Sequence, residues 1–116
     1  MELDDLIKQK NELYHELSME LIKPTELLHK HKEEVAKLCY CLAFLESKIA
    51  EILFTKGELE NSVINLISQA AYLTDVHEYG AARCALTKAK DRTKKEAVIK
   101  HIDEELIKLK QQMEKI

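Results

Sequence analysis

Eight residues between Leu28 and Ile52 follow one another at alternating steps of three and four: Leu28, His31, Val35, Leu38, Leu42, Leu45, Ile49 and Ile52. A repeat averaging 3.5 residues draws one stripe along an α-helix and suits no strand, where faces alternate every second residue. Inside this stretch the run Leu38-Cys39-Tyr40-Cys41-Leu42-Ala43-Phe44-Leu45 has no polar side at all. A helix lacking a polar face has to be covered from several directions. The segment from about 25 to 55 is therefore expected at the centre of the fold, or of an assembly.

The flanking segments carry the same period. In residues 2–22, Leu3, Leu6, Leu13 and Leu17 lie at heptad spacing with Lys10 interrupting, and Ile7, Tyr14 and Leu21 widen the stripe on one side. Pro24 removes a backbone donor and disfavours helix at Lys23, so the helix either ends there or kinks. Gly57 stands where a left-handed C′ residue would close the central helix. Residues 58–73 have the stripe Leu59, Val63, Leu66, Ala70 and Leu73. Asp75 and Glu78 then have the spacing of a capping box opening a segment over 76–115. That segment begins with the small residues Ala81, Ala82, Ala85 and Ala89, which allow close helix approach. It closes with Ile99, Ile102, Leu106, Leu109, Met113 and Ile116 at strict 3-4 spacing. With two glycines and one proline in 116 residues, the turns needed by a β-fold of this size are missing. The expectation is one all-α domain over 1–116: a bundle of about four helices, with a long central helix, a long C-terminal helix and coiled-coil-like seams.

Lengths create a conflict in this picture. A single helix over 76–115 would be about 60 Å long, against about 24 Å for its predecessor. Its overshooting end would carry the Ile99–Ile116 seam, and an apolar seam of that kind needs cover. Either the chain bends back near Lys90 to Glu96, or a second chain supplies the cover. The second alternative predicts a homodimer through Ile99, Ile102, Leu106, Leu109, Met113 and Ile116.

Charge is uneven. Residues 1–82 hold 8 Lys/Arg against 15 Asp/Glu, and residues 83–100 hold 7 against 2. The basic stretch, Arg83, Lys88, Lys90, Arg92, Lys94, Lys95 and Lys100, is the one place suited to phosphate or another polyanion. The plainer reading is a solvated face, or pairing with the acidic segments; no aromatic residue is interleaved for base stacking. Three cysteines, Cys39, Cys41 and Cys84, form no disulfide framework and read as reduced thiols, small enough for a core. The acidic start is unlike a signal peptide, and no run approaches the ~20 apolar residues of a membrane span. A cytoplasmic protein without a membrane segment is expected.

Candidate chemistry is thin. Glu12 with His15 and Glu26 with His29 have the i, i+3 spacing of di-metal carboxylate bundles, but both pairs fall away from the apolar stripes, where a metal centre would need them. His31 occupies a stripe position and suits register selection or a pH-sensitive layer; the plainer reading puts it at a half-exposed bundle end. Cys84 and His77 are two turns apart, too far to form a nucleophile and base pair. The two glycines form no phosphate-cradling loop. No catalytic residue, metal or cofactor is expected. The reading is a non-catalytic helical adaptor, regulator or assembly factor that binds another protein, itself, or both, through apolar seams. The alternative is a nucleic-acid-associated helical subunit using residues 83–100.

Overall fold

The computed structural model describes the backbone of residues 2–22 and 28–115, and the side chains of these except 28–31. The described residues form five helices and no strand: α1 (Glu2–Leu21), α2 (Leu28–Thr55), α3 (Leu59–Asp75), α4 (Tyr79–Arg92) and α5 (Glu96–Glu114). Each packs on its neighbours in sequence, giving a slab of 46 × 41 × 19 Å. Pro24, Glu26 and Ile116 lie outside the described residues, and so do the side chains of Leu28, His29 and His31.

α1 lies antiparallel to α2. Leu6 meets Leu45, Ile49 and Leu53 near one end, and Leu17 meets Leu38, Cys39 and Leu42 near the other. Where Lys10 interrupts the apolar row, its ammonium reaches inward to Glu46, 3.2 Å away, and Asn65 of α3 donates to the same carboxylate at 3.4 Å. Glu46 is buried, so a paired charge there is the arrangement that avoids a large desolvation cost. The expected stripe on α1 holds for Leu6 and Leu17, but Ile7, Tyr14 and Leu21 do not join it; they are exposed.

Small residues set the approach of the next helices. Ala43 and Ala50 of α2, Ala70 of α3, and Ala82, Ala85 and Ala89 of α4 are buried in one core with Val63, Leu66, Leu73 and Leu86. Ala81, in contrast, is exposed. The Ser62 hydroxyl donates to the Ala50 carbonyl at 2.9 Å, which holds α3 tightly on α2. Tyr40 donates to Glu78, while Lys88 and Arg92 both reach Glu51. These pairs keep a nearly constant sequence offset, so α2 and α4 run parallel, side by side over α3.

The two tight turns are the same device. After α2, the Gly57 amide donates to Phe54 and the Glu58 amide to Leu53; after α3, the His77 amide donates to Thr74 and the Glu78 amide to Leu73. This is the Schellman pattern, which places its C′ residue in the left-handed region. Gly57 has φ 82° as expected, and His77 has φ 62°. The expected capping box is not formed. Asp75 ends α3 instead of opening α4, and Glu78 caps α4 with no side-chain bond, its carboxylate being bonded to Tyr40.

The long C-terminal helix is also replaced. Thr93 and Lys95 are extended, and the chain turns between α4 and α5. Glu60, in the first turn of α3, holds this corner. Its carboxylate accepts from the Thr93 hydroxyl at 2.8 Å and from the Lys94 amide at 2.9 Å, and the Thr93 oxygen accepts from the Lys95 amide at 3.2 Å. The chain thus bends between Arg92 and Glu96, which covers part of the C-terminal seam from within.

Candidate interaction surfaces

The bend lays α5 back on α4 and divides its seam. Ile102 and Leu109 enter the main core at 0% and 4% exposure. Ile99, Leu106 and Met113 stay half-buried along the edge of the slab, beside exposed Ile107. Within the described part of the seam, a second copy would find only these edge residues, because Ile102 and Leu109 are covered by their own chain. Ile116 lies outside the described residues.

A groove runs between α3 and α5, with α4 beneath. Ile67, Ala70, Ala71, Leu86 and Leu109 give it an apolar lining, and Thr74, His101, Glu105, Lys108 and Gln112 give it a polar rim; its volume is about 380 Å³. Lys108 is paired to Glu105 at 3.3 Å along the rim. The sequence signals here were the seam itself and Ile67, which stands beside the α3 stripe. What a linear reading could not provide was the return of α5 beside α3.

The basic stretch comes apart into two groups. Arg92 is 11% exposed in its side chain, donates to both oxygens of Glu51 at 3.0 and 3.1 Å and to Ser62 at 2.9 Å, and lies over the Phe54 ring at 3.8 Å. Lys88 pairs with Glu51 at 3.3 Å and Lys90 with Asp103 at 2.8 Å. Burial pushes the Glu51 carboxyl up, but the bonds from Arg92 and Lys88 together outweigh it and hold the group below the usual carboxylate range. Arg83, Lys94, Lys95 and Lys100 are exposed and make no side-chain ion pair among the described residues.

The apolar run in α2 is not covered all round. Leu38, Cys39, Leu42, Ala43 and Leu45 are buried, but Tyr40, Cys41 and Phe44 are exposed, with Lys48 over the Phe44 ring at 5.2 Å. Of the three thiols only Cys39 is a core residue; burial, and secondarily Asp75, pushes its pKa up. Cys84 is exposed as well.

The outer side of α1 carries a further apolar row that a one-stripe reading assigned to the core. Ile7, Tyr14 and Leu21 are 36%, 57% and 59% exposed. Tyr72 of α3 is half-buried inward of Tyr14, its hydroxyl pushed up to about 12 by burial first and by Glu46 and Tyr14 next. Beyond Leu21 the row opens into a hollow of about 620 Å³ walled by Val35, Ala36, Tyr40 and Val76, with Lys32, Asp75 and His77 also on its wall. Glu12 and His15 are exposed on α1. Among the described residues no group of three or more His, Cys, Asp or Glu is placed to hold a metal ion, and no helix is long and apolar enough to cross a membrane. Compared with protein-family models, curated proteins and solved structures, the chain matches none.

Proposed function

We propose that this is a non-catalytic interaction protein, a helical adaptor, regulator or assembly factor, whose partner site is the α3–α5 groove. The observation that carries the reading is the groove's construction. An apolar floor about 380 Å³ in volume, rimmed by polar side chains, accepts the apolar face of a helix or extended segment and satisfies the partner's polar edge. The buried half of the C-terminal seam positions the groove wall. The test is a photo-activatable side chain at Ala71 in the groove, with a second at Lys56 in the α2–α3 turn as control. A partner captured from the native host at 71 but not at 56, and released by Ala71→Glu, supports the proposal. Equal labelling at both sites sinks it.

The second reading, a nucleic-acid-associated subunit, is favoured by the exposed cations Arg83, Lys94, Lys95 and Lys100, which make no side-chain ion pair among the described residues. It predicts DNA or RNA binding that falls steeply with salt and is lost when Lys94, Lys95 and Lys100 are reversed in charge.

A further inference from the structure

We propose that α5 is an exchangeable arm, and that the seat it occupies on its own chain equally takes the α5 of a second copy. The fold itself shows that seat and occupant fit. Ile102 and Leu109 enter one core with Leu86 and Ala89 of α4, and Lys90 of α4 pairs with Asp103 of α5 at 2.8 Å. A second copy's α5 remakes each of these contacts, so the closed chain and the exchanged pair differ chiefly at the hinge. The arm is also lightly held. Two of the nineteen residues of α5 are buried, against six of the seventeen in α3.

The hinge is the corner Thr93-Lys94-Lys95, between the end of α4 and the start of α5. Thr93 (φ −76°, ψ 146°) and Lys95 (φ −90°, ψ 120°) already hold the extended angles of an open linker. A connection this short leaves little slack for reversing the chain, and short hinges of this kind favour exchange. Glu60 is the latch. Its carboxylate accepts from the Thr93 hydroxyl and the Lys94 amide. These bonds belong to the closed form, because an opened hinge carries both donors away from α3. Losing the latch therefore costs the closed chain alone and tips the balance toward the pair. In the pair each α3–α5 groove has two owners: Ile67 and Ala71 come from one copy, His101, Lys108 and Gln112 from the other. The exchange does not depend on what that groove binds.

The experiment uses the full chain, made once with light and once with heavy nitrogen. The two are mixed in urea, refolded at high micromolar concentration and separated by size with light scattering. A carbodiimide then joins the Lys90 ammonium to the Asp103 carboxylate as an amide. Exchange predicts a dimer fraction whose 90–103 cross-links join a light chain to a heavy one, beside a monomer fraction whose cross-links are all of one isotope. Glu60→Ala should tighten the dimer about tenfold, the worth of a hydrogen bond or two to a charged group. Thr93→Val, which removes the hydroxyl from the other side of the latch, should act in the same direction. Glu58→Ala, which removes a neighbouring carboxylate bonded to Asn61 and not to the corner, should leave the dimer unchanged. Helical circular dichroism checks that each variant is folded. Single-isotope 90–103 cross-links in the dimer would show a surface contact without exchange and overturn the proposal. So would a chain that stays monomeric after concentrated refolding, or a Glu60→Ala dimer no tighter than that of Glu58→Ala.

Discussion

The paired Schellman turns make one substitution change sign with position. A left-handed residue with a Cβ suffers a steric cost of roughly 1–2 kcal/mol. Alanine also restricts the unfolded chain more than glycine, which favours alanine by about 0.4–1 kcal/mol wherever the native backbone accepts it. At Gly57 φ is 82° and nothing lies within 4 Å of an added Cβ, so no clash enters the sum. Gly57→Ala should therefore destabilise by about 0.5–1 kcal/mol, the steric cost less the entropic gain. Gly80 also has open space around its Cβ but sits in the first turn of α4. Gly80→Ala should stabilise by about 0.5 kcal/mol. At His77 the informative pair is His77→Gly against His77→Ala. Both lose the 2.6 Å contact between the imidazole Nδ1 and the Tyr79 hydroxyl, so their difference isolates the backbone. Glycine should be the more stable by about 0.5–1 kcal/mol, close to 3 °C in melting temperature for a domain of this size. Urea unfolding followed by circular dichroism, with an unchanged m-value, measures all four. Gly57→Ala and Gly80→Ala moving in the same direction, or alanine equalling glycine at 77, would refute the reasoning.

Ile102→Ala, at a site with 0% exposure, should cost about 2–5 kcal/mol, whereas Ile107→Ala, at 58% exposure, should stay within about 0.5 kcal/mol by the same unfolding assay. The corner at Thr93 should loosen in acid. The Lys94 amide and the Thr93 hydroxyl hold Glu60 below its ordinary value, so its contribution is present above the unfolded carboxyl pKa near 4.3 and is lost as pH falls through the folded one. Glu60→Gln should flatten that part of the acid stability profile, and an unchanged profile would count against the corner's dependence on the carboxylate. In an ultraviolet titration, Tyr72 should ionise only near pH 12, so Tyr72→Phe should remove the latest-ionising tyrosine signal; removal of an earlier one would contradict its burial. If the edge residues Ile99, Leu106 and Met113 support a dimer, light scattering should show it dissolved by Ile107→Glu with Met113→Glu. A monodisperse monomer of the unaltered chain at high micromolar concentration would dismiss it.

The helical class and the central place of α2 were legible because a 3-4 apolar period leaves one geometric solution, and Leu38, Leu42, Leu45 and Ile49 are all buried. Gly57 was legible because its conformation is costly for other residues. His77 was not, since its neighbours Asp75 and Glu78 imitate a helix start; the chain accepts the left-handed strain there to keep a second short turn. The break at Thr93 has no proline or glycine to announce it. It depends on Glu60, 33 residues away, and a carboxylate that satisfies a hydroxyl and an amide in space leaves no local trace. The same limit applies to the basic stretch: Arg92 reads as one cation among seven until Glu51, Ser62 and Phe54 are seen around it.

The division of the α5 seam has a consequence for where partners bind. A regular apolar row can be read as core or as interface, and here one row is both. Ile102 is wholly buried and stabilises the fold, while Leu109 is buried and also lines the α3–α5 groove, so substituting it would disturb stability and groove together. The α1 row is the converse case: Ile7, Tyr14 and Leu21 contribute little to the core because Leu6, Leu13 and Leu17 already fill it. Residues that are apolar, regularly spaced and dispensable for packing are the ones whose loss separates binding from stability. On α3 the same test singles out Ile64, 61% exposed, and Ala71, and not Leu66, which lies in the core. The proposed partner site is accordingly to be tested at exposed groove residues such as Ala71, and not at core residues such as Leu66.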